Sequence, residues 1–379
     1  MPADSGRVPD AQTESTAPTG AAPPTGEPPP AEAAPPAKVA VAGRRSGWRR
    51  IVPVLALLAL APWAAECSWG GFVVSDFLLV VVFLGPLYGG AAVLIRETAR
   101  HLGAGWPAIV LLAAAFGVYQ AGLVDQSLFN RAFLADTEFA DLAESATATL
   151  VPVVGFSARE ALDFVGNHIA LSICTPIAIV ESFLSPRRRH EPWLGWRGLA
   201  VVALLFALGS LLIFSDANDG RKGFLAEPLQ LSIAVLVILA LVGAALLPRW
   251  RRTRLPVARR APRLIWVGLV TPGAGVAGWL LPGWAGVVLQ VAVIVTVATV
   301  VVVWSRRTGW GQRHVLAAWA GFLLVTAAVA YTVPNYQPAS PAEALLGDIA
   351  VSVIVVGLLA AAFWRLRGED PTPGKASQG

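Results

Sequence analysis

The chain has 379 residues, of which 55% are hydrophobic and 14% charged, against roughly a quarter charged in an ordinary soluble domain. Its net charge of +5 comes from short arginine clusters flanking apolar runs, which is how membrane spans are oriented, and not from a continuous basic face of the kind that binds nucleic acid. Composition therefore excludes a soluble domain and points to repeated crossings of a lipid bilayer, with no nucleic-acid partner.

Residues 1–43 contain ten prolines and no aromatic residue. They hold too little apolar surface to offset the entropy of ordering, so a disordered Pro/Ala-rich cytoplasmic tail is expected. Residues 44–366 read as one transmembrane domain and 367–379 as a short cytoplasmic tail. The stretch "RRSGWRR" followed by "IVPVLALLALAPWAAECSW" has the charged and apolar regions of a signal peptide. The long tail before it and the poor cleavage site "AAEC" favour an uncleaved first span.

Apolar runs predict ten spans, near 51–66, 72–95, 106–124, 161–184, 198–215, 229–247, 264–282, 285–304, 314–333 and 344–364. Each is close to the roughly 20 residues that a 30 Å hydrocarbon core requires. Runs this continuous exclude barrel strands, so the expected fold is all-α, a polytopic transmembrane helix bundle. The least determined parts are span 1, short and holding Pro53 and Pro62, and the turn "LLPGWAG" at 280–286.

With the N-terminus placed in the cytoplasm, 25 of the 29 lysines and arginines fall on inside segments, leaving Arg131, Arg159, Arg221 and Lys222 outside. A span miscounted in mid-chain would invert every later loop, so the segregation supports an even number of crossings with both termini cytoplasmic. Tryptophans such as Trp48, Trp106, Trp250 and Trp304 fall near predicted span ends, as an interfacial belt would. The long outer loop, about 125–160, mixes Phe129, Phe133, Phe139 and Leu142 with Asp136, Glu138, Asp141 and Glu144. It reads equally as a short amphipathic surface helix or as a plain connection. Arginine far outnumbers lysine, and alanine, valine and proline abound, a composition that fits a high-GC bacterial gene and hence a bacterial cytoplasmic membrane.

Polar residues inside a span cost roughly 2.5–3.5 kcal/mol on insertion scales when charged. Here they gather: Glu66, Asp76, Gln120, Asp125, Asp163, Asn167 and His168 are all expected in the extracytoplasmic third of spans 1–4. Glu97 and Glu181 make a smaller cytoplasmic-side set, and Asp348 lies early in span 10. Pro176 in span 4 and Pro272 in the "VTPGAGVAGWLLPG" of span 7 predict kinks or breaks. Three readings of the main cluster stand: hydrogen bonds holding spans 1–4 together, a water-filled cavity for a small polar ligand or cation, or an active site with His168 as the candidate catalytic residue. Cys67 and Cys174 have no metal-ligand spacing, and no cofactor is expected. No P-loop, HExxH or GxSxG element is present, and no inverted repeat marks a transporter.

Phe164 and His168 match FxxxH, with "QAGLVDQSLF" on the preceding span. The pair resembles the CPBP family of polytopic intramembrane proteins, which includes CAAX prenyl endopeptidases and bacteriocin-processing proteins. That family carries EExxxR on one helix, FxxxH on another, and then a further histidine with Asn or Asp. In this chain Gln120 and Ala121 stand in place of the glutamates, Asp125 replaces the arginine, and the third motif is missing. The resemblance implies a hydrolytic site around His168. Glutamine has no carboxylate to accept a proton, so it implies a rearranged or inactive descendant. The overall expectation is a non-enzymatic multi-pass membrane protein whose outer cluster binds a small polar ligand or a protein partner, with a CPBP-like hydrolase as the alternative and a transporter third.

Overall fold

The computed structural model describes residues 48–141, 147–251 and 257–369. It is an all-α polytopic bundle. Among the described residues, nine helices are long and apolar enough to cross a membrane. In chain order these are span 1 (Arg50–Cys67), span 2 (Val74–His101), span 3 (Trp106–Val124), span 4 (Ala158–Ser182), span 5 (Trp196–Ser215), span 6 (Pro228–Ala245), span 8 (Gly283–Ser305), span 9 (Gln312–Thr332) and span 10 (Pro341–Glu369). The expected tail 1–43, Leu142, Glu144 and the chain beyond 369 lie outside the described residues.

Local chemistry sets the span starts. Pro107, Pro228 and Pro341 occupy first turns, where a missing N–H costs nothing. The Ser157 hydroxyl accepts from the Glu160 amide at 3.2 Å. At Ser340 the cap is reciprocal: its Oγ accepts from the Glu343 amide at 3.3 Å, and the Glu343 carboxylate accepts from the Ser340 amide at 3.1 Å. In spans 3 and 4, 61% of the apolar window is buried, against 11% in span 6 and 17% in span 8. Spans 1–4 therefore form the inner bundle with span 9, and spans 5, 6 and 8 present mostly lipid-facing surface.

The span expected at 264–282 is interrupted at Pro272, where the sequence predicts a kink or break. Leu264–Val270, Gly273–Val276 and the tight 3₁₀ turn Ala277–Leu280 make it up. Buried Gln290 of span 8 repairs the break by accepting from the Gly278 amide and donating to the Ala274 carbonyl, the latter at 2.7 Å. The segment nevertheless passes from one side to the other. At its start the Pro262 carbonyl lies 3.1 Å from His314 Nε2, near the start of span 9. At its end the Gly278 carbonyl accepts from Arg159 Nη1, at the start of span 4, at 2.6 Å. These two starts are on opposite sides, because Gln312 Nε2 donates to Ala178 O, at the far end of span 4, at 3.1 Å. Parity agrees: Arg189, just after span 4, pairs with Glu369 at the end of span 10 at 2.5 Å. That contact needs an even number of crossings between them, which holds only if residues 264–280, span 7, also cross.

Substituting Gln290→Leu would leave a buried amide and carbonyl unpaired and is expected to cost about 2 kcal/mol. A lowered thermal midpoint in detergent, with Thr296→Val on the same helix as the control, checks this. The topology has its own test: Asp219→Cys and Arg187→Cys, both at exposed positions, should react with an impermeant thiol reagent from opposite sides of sealed vesicles. Labelling from the same side would overturn it.

One further difference from the sequence reading matters. Span 2 continues to His101 instead of ending at 95, so Arg96, Glu97 and Arg100 sit on its last turns and not in a loop. The outer connection after span 3 runs through turns over 126–139 and the antiparallel pair Leu150–Val151 with Phe156–Ser157.

Candidate functional site

Four π-helical turns occur among the described residues, one in each of spans 1–4: Trp63–Cys67, Gly85–Gly89, Gln120–Val124 and His168–Cys174. Such turns make up well under 1% of residues in proteins and concentrate at functional sites, because the extra residue re-aims a side chain. Each of the four carries one residue of a shared polar centre: Glu66, Tyr88, Gln120 and His168 respectively. Prolines lie inside or within two residues of three of the turns, at Pro62, Pro86 and Pro176, and loosen the α-helical ladder there. Close approach holds the turns together. A Cβ at Gly89 would lie 2.9 Å from the Leu58 carbonyl oxygen, and one at Gly117 would lie 3.1 Å from that of Val165.

Tyr88 stands beside the Glu66 carboxylate. The Tyr88 ring stands 5.5 Å from the His168 ring and 6.0 Å from Phe116, and Phe116 meets His168 edge-on at 5.6 Å. His168 Nδ1 lies 3.0 Å from Ser172 Oγ. Gln120 Nε2 donates to Asp125 Oδ2 at 3.1 Å, and the Ser127 amide donates to Asp125 Oδ1 at 2.9 Å. Glu66, Asp125 and His168 are half-buried, so this polar centre, called the recess below, keeps some accessible surface. The Asp125 charge bears on Glu66, and among the described residues neither carboxylate has an ion-pair partner. Gln120 is 2% exposed, and its Oε1 is buried with no hydrogen-bond partner. Asp125 follows the last residue of span 3, and burial pushes its carboxyl up to about 6, against the opposing pull of hydrogen bonds from Ser127 and Gln120.

Of the seven expected residues, Glu66, Gln120, Asp125 and His168 come together, and three stand apart. Asp163 pairs with Arg159 at 3.1 Å, Asn167 is exposed, and Asp76 lies on the short turn Val74–Asp76, which packs against span 10. His168 sits ten residues into span 4, about 15 Å along the helix axis, so the recess reaches deeper than the outer third. Tyr88 was missed because a tyrosine in an apolar run reads as an interfacial anchor. The signal was its setting, "GPLYGG", a helix-loosening stretch within a span.

Loops on the side away from the arginine clusters cap the recess. Lys222, in the left-handed conformation at φ 56°, donates to the Phe133 carbonyl at 2.8 Å and to the Asp136 carboxylate. Its ammonium lies 5.1 Å from the Phe133 ring and 5.7 Å from the Tyr336 ring, and it holds the Asp136 carboxyl below the usual range. The Tyr336 amide donates to Gly71 O at 2.7 Å, tying the span 9–10 loop to the span 1–2 loop. Burial, then the charges of Glu66, Asp136, Asp219 and Asp125, push the Tyr336 hydroxyl up. Gln126, at φ 57° and 1% exposed, accepts from the Ala226 amide at 2.7 Å and pins the cap from beneath.

The second polar set differs in being paired throughout. Arg96 donates to Glu97 Oε1 at 2.5 Å, to Glu181 Oε1 at 3.1 Å and to the carbonyls of Arg188 and Arg189 at 3.1 and 2.9 Å. Arg100 Nη2 reaches both oxygens of Glu181 at 2.9 Å. Glu97 accepts from the amides of Trp193 and Leu194, and Trp193 stacks under Arg96 at 3.7 Å. With the Arg189–Glu369 pair, three arginines balance three glutamates, and this set reads as structure.

Among the described residues no group of three or more His, Cys, Asp or Glu side chains is placed to hold a metal ion. The chain matches no family model, no curated protein and no solved structure.

Proposed function

We propose that this multi-pass membrane protein is a non-enzymatic binding protein whose recess takes a small organic cation, entering from the side away from the arginine clusters. The observation that carries this reading is the chemistry of the four π-turns. Two carboxylates, Glu66 and Asp125, with no counter-cation among the described residues, lie by Tyr88, whose ring meets Phe116, near an unpartnered buried acceptor on Gln120. Buried carboxylates are normally paired. An ammonium group would supply the missing positive charge, donate to Gln120 Oε1, and lie against ring faces that attract cations. Methylammonium, tetramethylammonium and sodium chlorides, titrated against the protein by thermal shift at matched ionic strength, test this. The organic cations are expected to raise the midpoint of the wild type and not of Glu66→Gln, and equal shifts with sodium would sink it.

A second reading keeps the CPBP resemblance. Glu66, arriving from span 1, brings a carboxylate into the recess that His168 lines, where position 120 offers none, and a histidine with a carboxylate can activate water. Its prediction is distinct: peptide hydrolysis by the purified protein, reduced at least ~100-fold in His168→Ala. If no hydrolysis is detected and cation binding is kept in that variant, the hydrolase reading fails.

A further inference from the structure

In the cap, the ammonium of Lys222 sits in an aromatic cage. Two rings wall it, Phe133 at 5.1 Å and Tyr336 at 5.7 Å, and the Phe133 carbonyl and the Asp136 carboxylate accept its protons. Ring faces with a carboxylate between them are the groups that recognise ammonium ligands, quaternary ones above all. Neither wall depends on the lysine. The Tyr336 ring stacks on Phe72 at 6.2 Å and meets Phe139 at 6.4 Å, while the Phe133 ring meets Phe164 edge-on at 6.3 Å. The cage therefore stands whether or not the ammonium is in it.

Lys222 occupies this cage against its backbone preference. It is left-handed at φ 56°, with Gly223 left-handed after it at φ 69°, a conformation disfavoured for any residue with a Cβ. Such strain persists only where surrounding contacts impose it, and it collects at ligand clamps and switches. The ion pair that opposes it is modest, because Asp136 is 59% exposed and solvent screens its attraction for the ammonium. A cation from solution can therefore compete with the tethered one. Negative charge at the cage also exceeds what Lys222 meets. The carboxylates of Glu66, Asp136, Asp219 and Asp125 all bear on the Tyr336 hydroxyl, and of these Asp136 alone has an ion-pair partner among the described residues. We infer that this cage is an outer station for the organic cation that the recess takes, occupied in the free protein by Lys222, whose ammonium the arriving cation displaces. The ligand class rests on the reading of the recess given above, whereas the displacement of Lys222 is measured separately from it.

The chain has three lysines, Lys38, Lys222 and Lys375, so amine acetylation reads Lys222 directly. Full-length protein in detergent is treated with an N-hydroxysuccinimide acetate, and each lysine is quantified by peptide mass spectrometry, with Lys38 and Lys375 correcting for the reagent. The Lys222 side chain is 9% exposed and is expected to react slowly. Saturating tetramethylammonium chloride is expected to raise its rate about tenfold by shifting it out of the cage. Lys222→Met removes the tethered competitor, so its thermal shift with tetramethylammonium should be half-maximal at about tenfold lower concentration than in wild type. Glu66→Gln separates the two sites: the stabilisation that belongs to the recess should go, and the Lys222 response should stay. An unchanged Lys222 rate in a wild type that tetramethylammonium stabilises would leave the recess reading intact and overturn the station. An equal rise with sodium chloride, or unchanged or weaker binding in Lys222→Met, as a simple staple for the cap would give, would overturn it too.

Discussion

Glu181→Ala is expected to destabilise the protein by about 3–5 kcal/mol, the range found when one partner of a buried charge pair is removed. The carboxylate is fully buried and accepts from Arg96 Nε and from Arg100 Nε and Nη2. Its loss leaves two buried guanidiniums short of acceptors and the network with one uncompensated positive charge. Little of that cost can be recovered by solvent, since Arg96 is completely buried and Arg100 is 7% exposed. Thermal unfolding in detergent reads the effect. Two companion variants make it diagnostic. Adding Arg100→Leu to Glu181→Ala restores charge balance and should recover part of the loss, giving a favourable coupling in a double-mutant cycle. Arg187→Ala breaks only an exposed pair with Glu191 and should leave the midpoint unchanged. A Glu181→Ala midpoint within a degree of wild type would mean that this network does not hold spans 2 and 4 together.

The network also marks where sequence reasoning succeeds and where it stops. The all-α bundle was legible because continuous apolar runs of about 20 residues admit few other structures, and the expected bounds of span 3, residues 106–124, coincide with the helix Trp106–Val124. Span 2 was read short because Arg96 and Glu97 look like the start of a loop when their partners are unknown. Those partners, Glu181 and the carbonyls of Arg188 and Arg189, lie about 85 to 93 positions away, and only a three-dimensional contact reveals that the charges can continue a buried helix. Span 7 was readable as apolar, and Pro272 flagged a break, but its repair by Gln290 depends on a residue of the next span. Glu66, Gln120, Asp125 and His168 could be nominated because each is costly in a span. Their selection from the wider seven could not be made from cost alone, since Asp163 carries the same cost and has its charge met by Arg159. Helical phase is what separates them. An undisturbed 3.6-residue repeat predicts the wrong phase beyond each of four π-turns, so the convergence of these residues was hidden from any periodicity argument.

Asp125→Asn should make the protein more stable at neutral pH while removing its capacity to hold a cation. Burial pushes the Asp125 carboxyl up to about 6, from an ordinary value of 3.8. Its folded-state pKa is thus above its unfolded one, and the favourable contribution of the protonated form is complete below about 3.8 and lost as pH rises through about 6. At pH 7.5 the wild type carries the cost of a half-buried, unpaired carboxylate, which the neutral carboxamide does not, and the carboxamide oxygen can still accept from the Ser127 amide. The variant's thermal midpoint should therefore exceed that of wild type by a few degrees at pH 7.5, with the gap narrowing toward pH 5. Ligand binding should move the other way. The groups bearing on this site are Glu66, Tyr88, Gln120, Ser127 and Tyr336, with the His168 ring 5.5 Å from that of Tyr88, and a bound ammonium takes its stabilisation from the carboxylates. Wild-type affinity for methylammonium should fall on acidification through pH 6, and Asp125→Asn should bind about tenfold more weakly at pH 7.5, a loss of about 1.4 kcal/mol. Opposite signs for stability and binding are the signature of a site held in an unfavourable state for a ligand's sake. A carboxylate that serves only to join helices would lower both when removed, and that outcome would assign Asp125 to packing.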